Sequence, residues 1–291
     1  MHELSLILTP EYFAVVLLPA LIAGIAVSLC SSLLGVSLVL KRCSMIGDGL
    51  SHVGYGTLCI AVAMGWAPIQ VTIPVVIAAA YILLRLSERG KSHGDTAIAM
   101  FSTSALAIGI LVSSKANLTT DVSHYMFGSI LAMTKSDVIL SVVLSICVVL
   151  VYLLFYDKIF AVTFDENFAQ ATGLNVRFYN LLIAVLTAVT VVLGMMMMGA
   201  LLISSLMIFP AVTAMRICRS FKRVVLSSVV ISVSCFLLGL MLSLWLDTAV
   251  GASVIVVNLF AFAAASAIAA VRKKHMSQAS AAEQTAKNPK I

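Results

Sequence analysis

The stretch "FAVVLLPALIAGIAVSLCSSLLGVSLVLKRCSMIGDGLSH", residues 13–52, decides the fold. From Phe13 to Leu40 it carries no charge. At 1.5 Å of rise per residue, that is enough helix to cross a hydrocarbon layer about 30 Å thick. Lys41 and Arg42 close this run, and a second apolar run opens behind them. Inside the second run stand a carboxylate, Asp48, and an imidazole, His52. Similar apolar runs recur to residue 271, and the chain is 62% hydrophobic and 10% charged. A soluble domain carries roughly 25% charged residues. The expected fold is therefore all-α, a polytopic helical protein of the lipid bilayer with about nine transmembrane segments.

The runs place these spans at 13–40, 44–64, 68–84, 96–113, 137–156, 179–195, 197–214, 224–246 and 251–271. The sixth and seventh can also merge or hold a re-entrant piece, and Pro210 should kink or interrupt the seventh. Of 18 Lys and Arg residues, all but Lys115 and Lys135 fall on one side when the N-terminus is set outside. The positive-inside rule then puts loops 85–95, 157–178 and 215–223 and the C-terminus in the cytoplasm of an inner (plasma) membrane protein. The N-terminus, with Glu3, Glu11 and no basic residue, lacks the positive flank of a signal peptide. Residues 1–271 read as one transmembrane domain and the polar 272–291 as a disordered cytoplasmic tail. The net charge of +6 is explained by this orientation, so no nucleic-acid partner is implied. Six scattered cysteines without a CxxC pair read as small core residues.

An ionised Asp within a span costs roughly 2.5–3.5 kcal/mol on insertion scales, so such a residue defaults to function or pairing. Asp48 is the acid deepest within any predicted span, and His52 is the only histidine within one. Four residues apart on a helix, they share a face about 6 Å apart along the axis. There a carboxylate oxygen and an imidazole nitrogen can converge on one divalent cation, a combination that zinc and manganese accept. The competing reading makes Asp48 the N-cap of the second span at the membrane interface, with His52 bonded back to it. Asp247, after the eighth span, reads first as a cap for the ninth helix and second as a cation receiver at the outer entrance. The methionines at 195–198 cannot share one helix face and read as packing or lipid contacts rather than a soft-metal site.

The cytoplasmic segment 157–178 holds a further pattern. Asp165 is placed as an N-cap, Glu166 in the first turn and Gly173 as the stop. Between them lies a helix of two turns with Phe164, Phe168 and Ala169 as apolar contacts. It is too short to be stable alone and would gain order in a partner's groove or packed on the membrane domain. No GxxxxGK[ST] or GxSxG sequence occurs, so the chain does not read as an enzyme, and any ATP hydrolysis belongs to another subunit.

Four stretches in order, "LGVSLVLKRCSMIGDGLSHVGYG", "FDENFAQATGLNVRFYN", "MGALLISSLMIFPAVTA" and "LDTAVGASVIVV", resemble the ABC-3 class of permeases, the membrane subunits of bacterial zinc, manganese and iron importers. The resemblance spans roughly residues 13 to 271. It implies a permease that pairs with a second copy or a related permease, and that binds two ABC ATPase subunits. An extracytoplasmic metal-binding protein delivers the cargo, and no cofactor is held permanently. Asp48 and His52 match the acidic and histidine positions of the metal route, and Asp165 to Gly173 match the ATPase-facing coupling helix. Two positions depart from the pattern: Glu166 stands where Pro is usual, and Ala249–Val250 lack the usual Pro of the outer turn. The expectation is passage of a divalent metal, zinc ahead of manganese or iron, through a dimer cleft. Its rivals are a proton-coupled transporter needing no ATPase and a membrane scaffold in which the polar pair is structural.

Overall fold

The computed structural model describes residues 17–89, 94–116 and 135–287. Eleven helices account for them, with no strand among the described residues. In chain order they are α1 Leu18–Leu40, α2 Met45–Ala63, α3 Pro68–Arg89, α4 Gly94–Lys115, α5 Lys135–Leu154, α6 Tyr156–Phe164, α7 Glu166–Ala171, α8 Val176–Met198, α9 Ala200–Ile217, α10 Phe221–Leu246 and α11 Val250–Lys287. Nine of these lie on the nine expected spans. Seven are long and apolar enough to cross a membrane, and α5 with α6, bent by 70°, supply an eighth. The remaining one is α2, in which Asp48, His52 and four glycines dilute the apolar content. It lies mostly buried among other helices, so its sequence need not match lipid.

The helix ends follow local chemistry. α1 stops at Lys41–Arg42: the Cys43 N–H bonds to the Leu38 carbonyl and the Arg42 N–H to that of Val39. Arg42 takes the left-handed conformation, φ 58°, that this closing motif demands and that glycine usually supplies. The 41–44 turn is therefore a tight, hydrogen-bonded link into α2. α8 and α9 are separate helices broken at Gly199 (φ 91°), so the expected sixth and seventh spans do not merge. Pro210 lies within α9 without ending it, and Pro74 sits likewise inside α3.

Packing places α1, α8 and α9 at the centre, while α4 and α11 present most of their apolar surface outward. α2 lies closest along α4. A Cβ on Gly56 would collide with the Ala105 carbonyl, and one on Gly109 with the Gly56 backbone, so only paired glycines permit this approach. α1 and α10 are joined by Ser232 Oγ donating to the Ser28 carbonyl at 3.1 Å and Ser228 Oγ to that of Ser32 at 3.4 Å. Small hydroxyl residues bring helices together this way where water cannot drive association. Met195, Met197 and Met198 are buried against Tyr55, Cys59 and Phe236, which makes the methionine run packing material. The cysteines are free and mostly buried. α11 continues through residues 272–287, where composition predicted disorder; the Ala, Gln, Glu and Lys there are good helix formers.

Candidate functional site

The N-cap of α2 is Ser44, and Asp48 lies in the helix's first turn, not at its cap. A carboxylate there faces the positive end of the helix dipole. His52 Nε2 stands 3.5 Å from Asp48 Oδ2, with His52 24% and Asp48 35% exposed. That separation exceeds a normal hydrogen bond of 2.7–3.2 Å. Each group thus keeps lone-pair capacity for a third partner, and the partial exposure leaves a way to reach it.

Neighbours from α9 surround the pair. The Ser204 hydroxyl of α9 lies against the Asp48 carboxylate, and Met207 of α9 packs over Gly47. From Ser204 to Ile217 runs about 20 Å of helix, which ends beside the basic Arg216. The pair therefore faces the half of α9 remote from its charged end, and Asp48 is not the cap of α2. Among the described residues no third His, Cys, Asp or Glu joins the pair in a ligand cluster. The described residues thus bring two such donor groups together here.

Asp247 stands apart. It closes α10 in the left-handed conformation (φ 52°), its N–H bonded to the Ser243 carbonyl. α11 begins at Val250, so the expected capping of that helix by Asp247 is corrected: the residue at the cap position is Ala249. The turn is tied by Ser243 Oγ to the Thr248 carbonyl and by Thr248 Oγ1 with Ser253 Oγ at 2.8 Å. Asp247 is exposed in it and forms no cluster with Asp48 and His52.

Segment 157–178 folds as its capping pattern dictates. Asp165 Oδ1 accepts from the Phe168 N–H at 3.0 Å and starts α7. The Leu174 N–H then bonds to the Ala169 carbonyl and the Gly173 N–H to that of Gln170, with Gly173 at φ 85°. Phe164 and Phe168 are each 64% exposed. Phe164 joins an aromatic group with Phe160, 5.1 Å between ring centroids, and Phe221. Ala169, the third of the expected apolar contacts, faces the bundle and not a partner: it is fully buried against Val162 and Tyr179, where its methyl anchors the short helix to α6 and α8.

Glu166 is tied to the bundle while its side chain stays 43% exposed. Its Oε1 receives Lys41 Nζ at 2.7 Å, and Asn180 Nδ2 donates to the same oxygen at 3.2 Å. Lys41 donates in turn to Asn180 Oδ1, and its side chain is only 7% exposed. A cleft of about 310 Å³ opens beside this cluster, lined by Leu40, Arg42, Leu84 and Phe164 among others. Sequence reasoning missed Lys41, Asn180 and Ser204. Lys41 read only as an orientation charge; an asparagine in the first turn of an apolar span was the available signal for the cluster.

Known proteins resemble this chain along most of their length. The chain is 31% identical to the high-affinity zinc uptake system membrane protein ZnuB of Haemophilus influenzae, over 85% of this chain and 95% of that one. It is 30% identical to the manganese import system permease protein ScaB of Streptococcus gordonii, over 84% and 87%. The solved structure of PsaBC from Streptococcus pneumoniae in complex with Fab superposes with a TM-score of 0.77 at 29% identity, covering 86% of this chain and 90% of that one. The profile of the ABC 3 transport family matches residues 14–269, from the start of the first span past the turn at Asp247. With the Asp48–His52 helix and the Asp165-capped turn both inside that match, the chain belongs to the ABC 3 transport family.

Proposed function

We propose that this chain is the membrane permease of an ATP-driven importer of divalent metal, in which Asp48 and His52 hand the ion across the bundle. The reading rests on one observation: a carboxylate and an imidazole 3.5 Å apart, set beside Ser204 and remote from the charged end of α9. The family membership and the named metal cargoes of two relatives support it. One charged oxygen and one neutral nitrogen offset the hydration an ion leaves behind. Two donors hold it loosely enough for release. In this reading the remaining ligands are water or groups from a second permease copy across a dimer cleft. Zinc is the cargo this nitrogen–oxygen set favours, ahead of manganese and iron.

Hydrolysis of ATP belongs to partner subunits, which dock on the exposed Phe164 and Phe168 of the cytoplasmic face. A binding protein on the opposite face delivers the ion; Asp247, exposed in the α10–α11 turn, is placed to meet it. The N-terminus is outside and the C-terminus cytoplasmic.

The test is metal uptake by the reconstituted complex of permease, ATPase and binding protein. Asp48→Ala and His52→Ala should each lower zinc uptake by about tenfold or more, the scale of losing a group that supports a metal site. Normal uptake in both variants would sink the metal role. Uptake by this chain alone, driven by a proton gradient, would establish the secondary-transporter alternative instead.

A further inference from the structure

α7 is six residues long and cannot hold its own shape or place. Two attachments fix it to the bundle. One is apolar, Ala169 against Val162 and Tyr179. The other is the polar cluster in which Glu166 meets Lys41 and Asn180. Lys41 is the residue that caps α1, and the tight 41–44 turn leads directly into the first turn of α2, where Asp48 stands. The side chain of Lys41 is almost fully withdrawn from solvent, so its ammonium depends on Glu166 and Asn180 for compensation. At the other end of the lever, α2 is clamped to α4 where Gly56 meets Gly109, about 12 Å along the helix from Asp48. A displacement of α7 therefore has a stiff path into the Asp48 end of α2 and a pivot to turn it about.

We propose that Lys41, Glu166 and Asn180 form a strut through which movement of α7 repositions Asp48 and His52, the ion pair being a positioning device for transport. This rests on the permease reading above and extends it to how the cytoplasmic face and the metal pair communicate. The strut replaces chemistry that the resemblance pattern does not share, because Glu166 occupies a place where Pro is usual. That difference also supplies a clean variant. Glu166 is the first residue of α7, where proline fits a helix without loss of a bond, so Glu166→Pro removes the carboxylate and leaves the helix intact.

The experiment uses the full reconstituted complex and reads zinc taken up per ATP hydrolysed, with co-purification of the ATPase as the measure of assembly. Glu166→Pro and Lys41→Met should each lower the ratio about fivefold or more, the scale of a lost coupling between sites. The exchange Lys41→Glu with Glu166→Lys should recover much of it. An unchanged ratio in assembled Glu166→Pro overturns the strut, even if Lys41→Met fails to assemble. A loss that the exchanged pair leaves unrecovered also overturns it, because the pairing itself is then not what matters. If the parent complex takes up no metal, the permease reading fails, and the strut with it.

Discussion

A carboxylate inside an apolar bundle must be supported by its immediate surroundings, and each support of Asp48 is a single residue. The helix start lends its dipole, His52 lends a nitrogen at 3.5 Å, and Ser204 of α9 stands beside the carboxylate. Gly56 and Gly109 set where that helix lies. Because the atoms that a Gly56 methyl would meet are backbone, they cannot swing aside. Gly56→Ala should therefore destabilise the protein by about 1–3 kcal/mol, the range for overpacking, and lower its melting temperature in detergent. If Gly56→Ala melts at the parent temperature, α2 and α4 do not pack as described.

At the scale of elements, α7 shows what a local pattern can and cannot reveal. Its start and stop were legible because Asp165, Glu166 and Gly173 act within one or two turns of themselves, and the observed bonds are those the spacing implies. Which of its faces is free was not legible, since that depends on α6 and α8 coming alongside. Hence Ala169 proved buried, and Glu166 found a lysine 125 positions away in the chain. The exposed face carries the prediction. Phe168→Asp places a charge on the apolar contact without disturbing the cap, and should abolish co-purification of the ATPase. Asp165→Ala, which removes the cap at a cost of about 1 kcal/mol, should weaken that association only partly. Undiminished co-purification of Phe168→Asp would mean that the partner docks elsewhere.

For the whole molecule, the hydropathy of the chain was enough to place nine helices, because each span must satisfy its backbone internally and is apolar along its own length. The surroundings of Asp48 were not readable that way: they depend on α9, a distant segment, lying against α2. Orientation is a third matter, set by charge at the helix ends rather than by packing. It determines whether α7 can reach ATP. With Arg219 in the α9–α10 turn and Thr248 in the α10–α11 turn, both exposed, the two ends of α10 report opposite sides. In a background with Cys147 and Cys218 changed to serine, Thr248→Cys in right-side-out vesicles should react with a membrane-impermeant maleimide. Arg219→Cys should react only after the vesicles are opened. The buried cysteines stay silent, being shielded from the reagent. The reverse labelling would put α7 and its exposed phenylalanines outside, away from any ATPase, and the proposed drive for transport would fall with the orientation.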